Sequence, residues 1–219
     1  MINRRDFSMG LAGTAGMGLG LTAALPAGAQ GGPVEGTHYN KLGQPVPVAA
    51  SGKVEVVEFF SYACPHCFAF DPILEGWIKR LPADVSFRRT PVFFGRPAWE
   101  YLQSLYYALE ATNQLGAMHS KVFNAIHTDH KNLAKDADVL ALYGANAADG
   151  AKVVEAMKSF GVQTKVRQAK QLAEAYKIDG VPTLGVQGRW TTSSSQNGTH
   201  ERALQVVDFL VAQARKSVS

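Results

Sequence analysis

The chain has 219 residues, 46% apolar and 18% charged, with a net charge of +4 and two cysteines. That apolar share suits one elaborated domain or two small ones with a packed core, and excludes a disordered polymer. The charge is small and scattered, with basic pairs such as Lys79-Arg80 and Arg88-Arg89 but no basic block, which argues against a nucleic-acid partner.

Residues 1–29 read as an export signal. Arg4-Arg5 precede Phe7, a Gly-rich, weakly apolar run reaches Leu25, and Ala27-Gly28-Ala29 supplies a small-residue cleavage pattern. The run is too short and too rich in glycine for a membrane-spanning helix. Asn3-Arg4-Arg5-Asp6-Phe7 resembles a twin-arginine signal, with Ser8 where leucine is more usual, so twin-arginine and general export both stay open. The mature chain is expected to begin near Gln30, in an oxidising compartment.

Residues 30–36 are Gly/Pro-rich and irregular, and residues 37–48 hold at most a short edge strand, limited by Pro45 and Pro47. Val54 to Phe60 is a nearly continuous apolar run, as in a central strand covered on both faces. Glu58 breaks the run; a carboxylate there is costly unless paired or protonated. Cys64-Pro65-His66-Cys67 follows at the junction with a helix. Pro65 falls in its first turn, where the missing N–H costs nothing. Pro72 should kink this helix, and Phe70, Ile73, Leu74, Trp77 and Ile78 give it a buried face. Residues 85–94 read as the next strand, with Pro91 marking an irregularity near its end, completing a βαβ unit with the cysteines at the carboxyl end of its first strand.

Residues 97–160 carry four apolar stripes at helical spacing, with polar joints at 112–113, 128–132 and 144–150 and Gly161 as a stop. Residues 164–177 form a further helix, followed by Gly180-Val181-Pro182-Thr183, a strand at 184–186, a hairpin at 188–190 into a last short strand, a polar loop at 191–199 and a closing helix from His200 to Arg215.

Two thiols spaced C-x-x-C at a strand-to-helix junction point to a redox dithiol. A structural bridge across two intervening residues would add little stability. Structural zinc takes four ligands, and there is no second cysteine pair. His119, His127 and His130 lie in or beside one helix and are expected to face solvent at its end.

The order of elements resembles the thioredoxin fold, an α/β fold here carrying an inserted helical subdomain. More specifically it resembles the DsbA-type thiol:disulfide oxidoreductases of bacterial envelopes. The residues that carry the resemblance are Glu58-Phe59-Phe60-Ser61, Cys64-Pro65-His66-Cys67 and Gly180-Val181-Pro182-Thr183. It covers the mature chain, with thioredoxin-like parts at 37–97 and 163–219 and the helical insertion at 98–162. The resemblance implies that Cys64 is the exposed reactive sulfur at the helix N-terminus, that Pro65 and His66 tune it, and that Cys67 is its buried partner. It implies a cis Pro182 facing the disulfide, with Val181 offering its backbone to an extended substrate peptide. Glu58 and Asp71 match two acidic positions associated with the buried thiol's proton; the family usually has glutamate at the second. Arg88 or Arg89 could pair with Glu58 across neighbouring strands. The implied protein is a monomeric periplasmic oxidase that donates the Cys64–Cys67 disulfide to reduced exported polypeptides, needs no other cofactor and no metal, and is re-oxidised by a quinone-linked membrane protein resembling the DsbB family. Alternatives are an isomerase or reductase on the same fold, a metal carrier, or a peptide-binding protein.

Overall fold

The computed structural model describes residues 31–49 and 52–216; the expected export signal and its cleavage site lie outside them. All named elements belong to the unit Pro33–Ser219. In chain order they are β1 (Asn40–Lys41), β2 (Val54–Phe60), α1 (Pro65–Ile78), β3 (Val85–Pro91), α2 (Pro97–Ala111), α3 (Leu115–His127), α4 (Asp136–Tyr143), α5 (Ala147–Met157), α6 (Phe160–Ala175), β4 (Thr183–Val186), β5 (Trp190–Ser193), α7 (Ser194–Asn197) and α8 (His200–Lys216).

The five strands form one mixed sheet in the order β1-β5-β4-β2-β3. Only β2 and β3 are parallel, joined by the crossover through α1; the other neighbours are antiparallel. Every residue of β2 is buried, as its apolar run requires. Its alternating side chains serve two layers. Val54 and Val56 pack with Phe70, Leu74 and Trp77 of α1 and Leu204, Val207 and Leu210 of α8. Val57 and Phe59 point the other way, onto Tyr176 at the end of α6. Phe60, at the end of β2, enters a third cluster built by α2, α3, α5 and α6, which includes Leu105, Leu109, Val122 and Phe123. Both cysteines sit in that cluster, so the helical subdomain packs directly against the dithiol. Among the described residues no helix is long and apolar enough to cross a membrane.

The elements depart from the sequence reading in three places. β3 stops at Pro91, opposite Phe60 where β2 itself ends, with the Val92 N–H still donating to the Phe60 carbonyl at 2.8 Å. α6 begins at Phe160, not 164, because the Ser159 hydroxyl accepts the Val162 N–H and caps the helix with Gly161 in its first turn. It therefore runs unbroken through residue 162. Residues 191–199 are not simply a loop: they complete β5 and form α7, where Ser193 caps the N-terminus and the Asn197 amide donates to the His38 carbonyl and Thr192 hydroxyl.

The β4–β5 turn depends on Gly188. Its φ is +62°, and an added Cβ would overlap the Val46 carbonyl oxygen. Its backbone is also committed on both sides, since Val46 N–H donates to Gly188 O (2.8 Å) and Gly188 N–H donates to the Tyr176 hydroxyl (3.0 Å). Gly188→Ala combines a left-handed backbone with a clash against backbone, and should cost about 2–4 kcal/mol. A urea unfolding midpoint unchanged from wild type would contradict this reading of the turn.

Candidate active site

β2 delivers the chain through residues 61–63 to Cys64, which is the N-cap of α1 with an extended backbone (φ −91°, ψ 117°). No side chain caps this helix, and no acidic residue lies in its first turn. The first-turn N–H groups are therefore left for the cysteine sulfur. Both cysteines are free thiols in this structure. A hydrogen bond from the Cys67 thiol, then the N–H groups of Cys67 and His66 and the nearby His66 ring, pull Cys64 down to about 6 from an ordinary 9.0. Cys67 is fully buried, and burial, followed by its contact with Cys64 and the charge of Glu58, pushes its thiol far up. The two sulfurs of one motif are thus driven apart in acidity by their surroundings.

Cys64 is less open than expected: only 6% of it is accessible. The cause is the segment before β4. The Val181–Pro182 peptide is cis, and the Val181 carbonyl accepts a hydrogen bond from the Cys64 thiol at 3.4 Å. Exposed His66, residues 179–183, residues 193–195 and residues 198–201 line a groove of about 570 Å³ beside it.

Beneath the dithiol lies a buried charge cluster. In the parallel β2–β3 register Glu58 stands opposite Arg89 and Val57 opposite Arg88, so Arg89 shares the face of Glu58. Arg89 donates to Glu58 (2.9 Å), to Asp71 (3.1 Å) and to Glu75 (2.7 Å), the last two lying one turn apart on α1. Arg88 points to the opposite face and pairs with Glu55 at 3.1 Å. One guanidinium thus serves three carboxylates. Burial raises Glu58 to about 7 from 4.5; Arg89 opposes the rise, while Asp71 and Glu75 add to it.

A family model described as a DSBA-like thioredoxin domain matches residues 55–205, which include the dithiol, the helical subdomain and the cis-proline segment. The chain belongs to the DsbA family.

Relatives agree. The thiol:disulfide interchange protein DsbA of Azotobacter vinelandii is 40% identical over 182 residues, 83% of this chain and 85% of that protein. The DsbA of Bordetella pertussis is 42% identical over 180 residues, 82% and 85% of the two chains. The crystal structure of Pseudomonas aeruginosa DsbA superposes with a TM-score of 0.80 at 36% identity, covering 85% of this chain and 96% of that one. The thioredoxin-like fold with its helical insertion, and the class of thiol:disulfide oxidoreductase, follow from that membership.

Relative to the DsbA pattern quoted from the sequence, the cluster has further members. His119 does not face solvent: it is 6% exposed, with Nε2 3.1 Å from Asp71 Oδ1 and Nδ1 2.8 Å from the Tyr62 hydroxyl. Its place on the buried face of α3, beside Met118 and Val122, follows from helical spacing, which is the signal that marks it as a core residue. His127 is half-buried, stacked on Phe68 (5.0 Å, 15°), and its Nε2 donates to the Tyr62 carbonyl at 2.8 Å. Of the three histidines only His130 is exposed. Among the described residues no group of three or more His, Cys, Asp or Glu side chains is placed to hold a metal ion.

Proposed function

We propose that this DsbA-family chain works as an oxidase, giving the Cys64–Cys67 disulfide to reduced exported polypeptides in the periplasm. A substrate thiolate attacks Cys64 Sγ, and the Cys64–Cys67 bond breaks with its electron pair going to Cys67. Cys67 cannot remain a thiolate in its buried site and takes a proton. Glu58, raised to about 7, is a suitable donor, and Arg89, Asp71 and half-exposed Glu75 connect it towards the surface. A second substrate thiolate then attacks the substrate sulfur of the mixed disulfide, and Cys64 departs as a thiolate. The substrate loses two electrons and the enzyme gains them. Pro65 starts α1 without needing a partner for its nitrogen, His66 adds to the field at Cys64, and Val181 with Pro182 presents backbone to an extended peptide in the groove. Re-oxidation falls to a quinone-linked membrane protein resembling the DsbB family. The chain works as a monomer, with residues 98–162 as the helical insertion and no cofactor beyond its own disulfide.

The observation that carries this reading is the acidity of Cys64, about 6. A low-pKa sulfur leaves readily, and stabilising it stabilises the reduced enzyme, which makes the disulfide oxidising. The shift is downward, so this stabilisation is complete only above about 9, shrinks as pH falls towards neutrality and is gone once pH has fallen through about 6. The test is the redox equilibrium of Cys64–Cys67 against glutathione, read by alkylation of free thiols. The expected potential lies well above the thioredoxin value of about −270 mV; for DsbA about −120 mV is an established family figure, independent of the distances given above. A potential near thioredoxin's would assign a reductase instead.

A further inference from the structure

Tyr62 is held at both ends by one helix of the insertion. His119 and His127, eight positions apart on α3, take its phenol oxygen and its backbone carbonyl respectively, each at 2.8 Å. The chemistry of the partners fixes the protons. The Asp71 carboxylate only accepts, so His119 carries its hydrogen on Nε2 and donates there, which leaves the Nδ1 lone pair to accept from the Tyr62 hydroxyl. Burial supports this arrangement, lowering the pKa of the His119 ring and raising that of the Tyr62 phenol, so both stay neutral. The Tyr62 carbonyl likewise only accepts, so His127 Nε2 is its donor. The Tyr62 ring is seated against Phe123 (4.9 Å) and Phe60 (5.2 Å), which leaves the polar ends as the directional contacts.

Tyr62 lies two residues before Cys64, in a turn with little internal support: Cys64 N–H donates to Ser61 O at 3.1 Å and Ala63 N–H to Ser61 Oγ at 3.2 Å. The aim of the sulfur at the first N–H groups of α1 depends on this turn. We infer that His119 and His127 are positioning residues which, through Tyr62, fix the turn carrying Cys64 and make the helical insertion a determinant of how the sulfur meets the start of α1. The inference rests on Cys64 being the reactive sulfur of the proposed oxidase.

Two near-isosteric variants test it. His127→Phe keeps the ring on Phe68 and deletes the donor to the Tyr62 carbonyl. Tyr62→Phe keeps the ring in its aromatic seat and deletes the hydroxyl at the His119 end. The readout is the thiolate absorbance of Cys64 during pH titration of the full reduced protein. A loosened turn should displace the Cys64 transition upward by about half a unit in each variant, a roughly threefold loss of thiolate stabilisation of the size one net hydrogen bond supplies. His127→Gln, whose amide can still donate to the carbonyl, should return the transition to the wild-type position. If either Phe variant melts earlier yet titrates as wild type, its histidine is structural only and the inference is overturned. Should wild-type Cys64 itself titrate as an ordinary thiol, the oxidase reading fails first and this inference with it.

Discussion

Cys67→Ser should trap the enzyme on whatever disulfide Cys64 attacks. With oxidised glutathione, the Cys64 thiolate cleaves the glutathione disulfide, takes one glutathionyl group and releases the other as a thiolate. In the wild type the Cys67 thiol then attacks Cys64, expels the second glutathione and closes the internal disulfide. The two cysteines share one hydrogen-bonded site, so that attack is intramolecular between oriented groups. Such steps carry effective molarities of about 10⁵ M and above. The serine hydroxyl is not a comparable nucleophile, so turnover should fall on the order of 10³-fold or more, with the protein accumulating as a single glutathionyl adduct. Intact mass under non-reducing conditions reads the adduct directly. A variant that stays unmodified would mean Cys64 is not the reactive sulfur. A variant that turns over like the wild type would mean the pair does not act as a unit.

The second large effect concerns Arg89. It is the only cation hydrogen-bonded to Glu58 among the described residues, and it also holds Asp71 and Glu75. Arg89→Met keeps the stem and removes the charge, leaving buried carboxylates facing one another. Breaking one side of a buried ion pair costs about 3–5 kcal/mol. The penalty must depend on pH, and Glu58 sets the sign. Its folded value of about 7 lies above its ordinary 4.5, so the folded state holds the proton more tightly than the unfolded chain. The stabilisation from that proton is complete below about 4.5 and is lost as pH rises through about 7, a change on the order of 3 kcal/mol. Arg89→Met should therefore be least harmful near pH 5 and most harmful at pH 8. Glu58→Gln, which carries no titrating proton, should flatten the wild-type decline across that interval. Urea midpoints at pH 5 and pH 8 for the three proteins check both statements. An Arg89→Met penalty equal at the two pH values would mean the carboxylates are solvated.

The parts of this protein that were legible in its sequence are those fixed by neighbours in the chain. An all-apolar run makes β2 a covered strand, Pro65 marks the start of α1, and the dithiol at their junction follows from both. What was not legible depends on distance or register. The choice between Arg88 and Arg89 as partner of Glu58 turns on strand register, which no local pattern reveals. His119 shares its helical stripe with Met118 and Val122, but its reason for being buried is Asp71, 48 residues away. The low accessibility of Cys64 comes from Val181, 117 residues away. The start of α6 was hidden by Gly161, which reads as a stop until the Ser159 cap is seen.

The margins of the sheet bear on the company this chain is proposed to keep. One outer strand, β1, is two residues long and ends in Lys41. The other, β3, closes on a proline, and its two arginines are held in ion pairs with Glu55 and with Glu58, Asp71 and Glu75. Short length, positive charge and proline are the devices that stop an exposed strand from templating another. Unfolded polypeptides offer backbone to any free strand, and a protein that handles them at high local concentration risks co-aggregating with its own clients. With both borders blunted, the clients proposed for this chain would be steered away from indiscriminate β-pairing and towards the groove beside Cys64.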